Sequence, residues 1–154
     1  MLKKIALIVS IAAAAALHGG AAAWADDGII VVPSSNSVSK TADKLASVLT
    51  SKGITVFARV DHAAGAKKVG MTLRPTQLII FGNPKLGTPL MESNQKIGLD
   101  LPMKALIYQA ADNKTYISYN SPAYLAKRHG IQDRAKVFAK MTGALKKFTA
   151  AAAK

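Results

Sequence analysis

The sequence predicts an α+β domain, and three observations carry that prediction. A β-branched run near residue 30 stands apart from further strand-like runs between residues 54 and 119. Helix-period segments follow the first strand and close the chain. No repeat, long linker or low-complexity block divides the sequence, the terminal alanines excepted. The order is strand, helix, four strands, then helices, with the long helices at either end of the meander covering one face of the sheet.

Gly28 to Val32 (GIIVV) is the first strand, ended by Pro33 and a Ser/Asn cluster. Ser37 caps a helix in which Val38, Ala42, Leu45, Val48 and Leu49 share one face, and Gly53 supplies its left-handed stop. Ile54 to Val60 alternates: Ile54, Val56, Ala58 and Val60 lie opposite Thr55, Phe57 and Arg59, the pattern of a half-buried strand. Gln77 to Phe81 is the third strand, closed by the turn residues Gly82-Asn83-Pro84. Ala105 to Ala110 and Lys114 to Tyr119 form a hairpin through Asp112-Asn113, a pair that tolerates a tight turn. Ser121-Pro122 opens a short helix that Gly130 closes. The last helix starts near Asp133, with Ala135, Phe138, Met141, Thr142, Leu145 and Phe148 along one face. The Ala-rich residues 149–154 are expected to fray.

The N-terminus points to export. Lys3 and Lys4 precede an apolar run from Ile5 to Leu17, and Ala23-Trp24-Ala25 fits a signal-peptidase site, with the cut expected after Ala25. The run is short for a membrane span, which needs about 20 apolar residues. Residues 1–25 are thus expected to be a cleaved signal peptide, and residues 26–154 a single periplasmic or secreted domain. With no cysteine in the chain, disulfides, thiol chemistry and Cys-based metal sites are excluded.

Charge is lopsided: 21 Lys and Arg face 8 Asp and Glu, a net of +13. Without Lys3 and Lys4 the balance is 19 against 8, or +11. Such a field attracts anionic membrane or polymer surfaces weakly and generally. Nucleic acid, the usual partner of a basic domain, is set aside for an exported protein.

Seven short marks complete the pattern: Asp61-His62, Leu73-Arg74-Pro75, Gly82-Asn83-Pro84, Gly87-Thr88, Leu90-Met91, Asp100-Leu101-Pro102 and Tyr119-Asn120. In these the chain resembles the bacterial domain-of-unknown-function family 302 over nearly all of residues 26–154. The resemblance implies a sheet like that of TATA-box-binding proteins, strand-helix-four strands-helix, with a long C-terminal helix on one face. It also implies a homodimer, and it brings no established reaction.

Candidate site residues each carry a bland reading beside the functional one. His62 could act as general acid/base or as donor to an anion, whereas neighbours in an extended segment point to opposite faces, so Asp61 is equally well the cap of a turn starting at Ala63. Arg74 offers a fixed fork for a carboxylate or phosphate, or it pairs with Asp61 or Asp100. Asn83 belongs to a turn, and the composition of its loop only imitates a phosphate loop. Tyr119 and Asn120 end the fifth strand and could present a phenol and an amide to a crevice between sheet and last helix. Asp100 is expected to accept backbone amides at an entry turn, and His129 to complement a helix dipole. Met71, Met91, Met103 and Met141 could serve haem with a histidine, but thioethers more often fill core gaps. No metal ligand set and no cofactor is expected.

Two function classes stand. The preferred one is an exported, non-catalytic module that binds a small anionic or apolar ligand through His62, Arg74, Tyr119, Asn120 and Asn83. The alternative is an enzyme built on His62, with metal or haem handling a distant third.

Overall fold

A computed structural model describes residues 28–154, which form β1 (Ile29–Ser34), α1 (Val38–Ser51), β2 (Thr55–Asp61), α2 (His62–Lys68), β3 (Thr76–Gly82), α3 (Pro84–Ser93), a 3₁₀ helix (Gln95–Leu99), β4 (Met103–Gln109), β5 (Thr115–Asn120), α4 (Pro122–Arg128) and α5 (Ala135–Ala153). The expected signal peptide and its cut after Ala25 lie outside the described residues.

The α+β order is the one expected from the sequence. The strands form one antiparallel sheet in the order β1-β5-β4-β3-β2. Because β1 and β2 occupy opposite edges, α1 must cross the sheet between them, and α5 packs beside it on the same face. Period-two burial sorts the strands cleanly. Met103, Ala105 and Ile107 of β4 and Thr115, Ile117 and Tyr119 of β5 are buried, and so are Ile79 and Phe81 of β3. From above, Ala42, Leu45 and Leu49 of α1 and Met141 and Leu145 of α5 close the core. The other face carries Val31, Ser118, Leu106, Leu78 and Val60 as one row across all five strands, half-buried or exposed.

Local chemistry explains the boundaries. The Ser37 hydroxyl accepts from Lys40 N at 3.3 Å to cap α1. Between β4 and β5, Asp112 Oδ1 accepts from Lys114 N at 3.0 Å, and Asn113 takes the left-handed conformation at φ 62.

Four expectations need correction. First, the alanine tail does not fray: α5 runs to Ala153, with Thr149, Ala152 and Ala153 buried. Ser35 N donates to Ala153 O at 3.0 Å, and the Ser35 hydroxyl donates to the same carbonyl at 3.0 Å. Alanine is the side chain small enough to let the last turn lie against the β1–α1 corner, so low bulk here marks close packing. Second, β2 does not alternate throughout. Its register shifts between Val56 and Ala58, a bulge that takes in Phe57, and parity reverses beyond it. Arg59 is therefore paired with Ile79 and bonds Asp43 on α1, while Val60 falls on the open face beside Leu78. Third, Gly82-Asn83-Pro84 is more than a turn: Asn83 Oδ1 accepts from Lys85 N at 2.9 Å and caps α3, which has Pro84 in its first turn. Fourth, α2 and the 3₁₀ helix were not expected as helices. The former is seven residues long and the latter five, too short for a period to register.

Candidate functional site

The clearest concave feature forms where β3 ends and α3 begins. Phe81 and Gly82 finish β3 at its floor, and Ile54 and the bulged Phe57 stand beside them. The inner side of α3 contributes Leu86, Gly87 and Met91, and α5 contributes Met141, Ala144, Leu145 and Phe148. Leu101, Pro102 and Met103 complete the wall, with the Leu101–Pro102 bond in the cis form. The cavity they enclose is about 300 Å³. The wall closes tightly over Gly82, where a Cβ would sit 3.4 Å from both Phe57 Cε2 and Pro102 Cβ, at the limit of ordinary contact. The side chains of Asn83 and Thr88 are the polar ones in this wall. Nothing in the lining titrates, so what this space can do chemically is exclude water and hold an apolar body.

Two other spaces are more polar. A cleft of about 690 Å³ lies between the start of α1, α2 and the segment before β3, and includes Asp61, Lys67 and Gln77. A third, about 350 Å³, borders the β1, β4 and β5 ends and includes Asp100, Lys104, Ser118, Tyr119 and Asn120.

The five sequence-predicted ligand residues are not brought together. Asn83 lines the apolar cavity; Tyr119 and Asn120 border the third space; His62 and Arg74 line none of the three. His62 is the exposed first residue of α2, and its ring has no hydrogen-bond or ion-pair partner among the described residues. Its neighbour Asp61 is engaged elsewhere, accepting from Ala64 N at 2.8 Å as cap of α2 and from Gln77 Nε2 at 3.2 Å. Arg74 pairs with neither Asp61 nor Asp100, since its Nε donates to the Gln109 carbonyl at 3.1 Å and ties the loop to β4. Tyr119 is buried under the helices at 5% exposure, and that burial raises its phenol above the ordinary tyrosine range, with the Thr149 hydroxyl opposing.

One pairing was missed. Asp100 Oδ2 lies 2.6 Å from His129 Nε2, with Arg128 Nε at 3.4 Å. The side chains are 14% and 7% exposed for Asp100 and His129. Asp100 therefore hydrogen-bonds the His129 ring, at the C-cap of α4, and pairs with Arg128, rather than meeting the expected backbone amides, and His129 does more than complement a helix dipole. With a sequence separation of 29, no local spacing could have joined the two. Among the described residues no group of three His, Cys, Asp or Glu could hold a metal. Met91, Met103 and Met141 do share the apolar cavity, but no histidine lines it, and Met71 is 67% exposed elsewhere.

Comparison with known proteins follows the fold. The crystal structure of an uncharacterized conserved protein DUF302 from Bacillus stearothermophilus superposes with a TM-score of 0.73 at 19% identity, covering 82% of this chain and 98% of that one. At that identity the likeness is one of fold. The protein called fluoride-specific ion channel FluC 1 of Brucella suis biovar 1 is 46% identical over 120 residues, 77% of this chain and 47% of its own length. Its namesake in Brucella abortus biovar 1 is also 46% identical, over 44% of its length. The chain thus spans about half the length of the curated relatives it matches. Residues 30–148 match the model of a family described as Domain of unknown function DUF302, and the chain belongs to that family.

Proposed function

We propose that this chain is an exported, non-catalytic binding module that holds a small apolar ligand between the end of β3, α3 and α5. The cavity of about 300 Å³ carries the reading. It is at the small end of ligand pockets, which run from about 300 to 1,000 Å³. Its aromatic and methionine lining supplies apolar contact, and thioether side chains re-pack around ligands of different shape. His62 and Arg74 line none of the three spaces, which favours binding in the apolar cavity over catalysis at His62, because a general acid or base must lie within hydrogen-bond reach of the proton it moves in a bound substrate. Export rests on the Lys3-Lys4, Ile5–Leu17 and Ala23-Trp24-Ala25 pattern. Fluoride conduction belongs by name to the longer relatives; no described helix is long and apolar enough to cross a membrane.

The experiment is a thermal-shift titration with straight-chain alcohols from hexanol to dodecanol, run on the wild type and on Ala144→Phe. Ala144 lies in the wall, partly exposed, on the side of α5 facing the cavity. A ligand at a hundred times its Kd adds about 2.7 kcal/mol to stability, so at least one alcohol should raise the melting temperature of the wild type and leave Ala144→Phe unmoved. Equal responses of the two proteins to every alcohol would reject the cavity as the site. Native mass spectrometry of protein taken from its producing cells would then report any retained molecule.

A further inference from the structure

The loop between α2 and β3 carries three large apolar side chains that remain exposed, two of them, Met71 and Leu73, at the edge of the cleft of about 690 Å³. Val69, Met71 and Leu73 are 71%, 67% and 47% exposed. Single exposed apolar residues are ordinary; three at alternate positions of one short loop are not. Cations surround them, with Lys67 and Lys68 in the last turn of α2 and Arg74 after Leu73, all exposed. From His62 to Met91 the chain has no acidic residue and four Lys or Arg, namely Lys67, Lys68, Arg74 and Lys85. Asp61, the acid just before this stretch, is occupied as the cap of α2 and as acceptor from Gln77.

The exposure is built into the backbone. Met71 N donates to Ala66 O at 3.0 Å and Gly70 N to Lys67 O at 3.1 Å, with Gly70 at φ +75, which is a Schellman stop. At the far end Arg74 Nε donates to Gln109 O at 3.1 Å, the Thr76 hydroxyl to Arg74 O at 2.8 Å, and Gln109 N to Pro75 O at 3.0 Å. Both ends of the loop are therefore pinned, and its apolar side chains are presented without a further ordering cost.

We propose that this loop is a membrane-docking element, placing Val69, Met71 and Leu73 among the head groups and upper acyl chains of an anionic lipid bilayer while Lys67, Lys68 and Arg74 meet the phosphates. An exposed apolar loop flanked by cations, whose Met71 and Leu73 also edge the cleft of about 690 Å³, matches the layering of that surface, apolar below and anionic above. The net charge of +11 over residues 26–154 complements it at longer range. The site is separate from the apolar cavity, because β3 begins at Thr76 beside the loop and ends at Gly82 in the cavity floor.

The test is vesicle co-sedimentation of residues 26–154, a segment that contains every described element and the whole core. Vesicles of phosphatidylglycerol and phosphatidylcholine in equal parts should pull the protein down, and vesicles of phosphatidylcholine alone much less. Lys67→Ser and Lys68→Ser should each weaken partition about fivefold. Met71→Ser with Leu73→Ser should weaken it about tenfold or more, since that apolar area would no longer leave water, with the melting temperature unchanged. The chain's one tryptophan is Trp24, so Met71→Trp in this segment is a sole reporter whose emission should shift to the blue on anionic vesicles. No sedimentation with anionic vesicles, no emission shift, or binding indifferent to the Met71/Leu73 pair would each overturn the proposal. So would a variant that changes only the oligomeric state, which would assign the loop to a second copy of the chain.

Discussion

Asp100 and His129 bind the 3₁₀–β4 connection to the end of α4, and the Asn94 amide adds a bond to the His129 carbonyl at 2.8 Å. Removing one partner leaves the other poorly solvated, so Asp100→Ala should cost about 1–3 kcal/mol in urea unfolding. His129→Ala should cost a similar amount, and the double variant less than the sum, as contacting residues do. Tyr119 sets an alkaline limit. Its buried phenol has a raised pKa, so the folded chain holds that proton more tightly than the unfolded chain. Its contribution to stability is complete below the unfolded value near 10 and is lost as pH rises from there through the folded value. Stability measured upward from about pH 10 should therefore fall more steeply in the wild type than in Tyr119→Phe. At this scale the sequence spoke through neighbours only. Asp61 as a cap was legible because a carboxylate three residues before a backbone N–H answers to local geometry. The partners of Asp100 and Arg74 were not, because tertiary packing chooses them.

Helices with a visible period or clear end signals were legible in the sequence: α1 and α5 by period, and short α4 by Ser121-Pro122 and Gly130. α1 and α5 declared their buried faces at i, i+3 and i+4, whereas α3 hid behind Pro84, Gly87 and Pro89, residues that lower helix propensity. The bulge in β2 left no signal either, since one extra residue changes parity without changing composition. An apolar crevice between sheet and last helix was legible, but its place was not: five of its wall residues, Pro84, Leu86, Gly87, Thr88 and Met91, belong to the unrecognised α3, and Tyr119 and Asn120 border a different space. Two measurements test these elements. Gly87→Ala places a Cβ no closer than 3.7 Å to Leu101 and 4.0 Å to Met91, so it should stabilise α3 by about 0.5–1 kcal/mol while narrowing the cavity. Weaker alcohol binding by a more stable protein would separate packing from pocket. Truncation after Thr149 removes buried Ala152 and the Ala153 carbonyl that Ser35 uses. It should lower unfolding stability by about 1–3 kcal/mol, where a frayed tail would have left it unchanged.

The whole molecule separates its two proposed activities along β3. One end of the strand leads to the cation-collared loop, the other to the apolar cavity, and the seven residues between span about 20 Å. Ile79 and Phe81, both buried, tie that strand to the core. A rigid strand of this kind separates the ends without giving either a second arrangement to select, and coupling between sites needs such an arrangement. Sites that far apart with no shared partner behave additively to within about 0.3–0.5 kcal/mol. Ala144→Phe should therefore abolish the alcohol-induced thermal shift and leave vesicle sedimentation at its wild-type level. Met71→Ser with Leu73→Ser should do the reverse, and the triple variant should show both losses at their separate sizes. If the cavity variant weakened vesicle binding, or vesicles changed alcohol affinity, the ends would be coupled through β3, and the loop and cavity would be parts of one lipid-facing site.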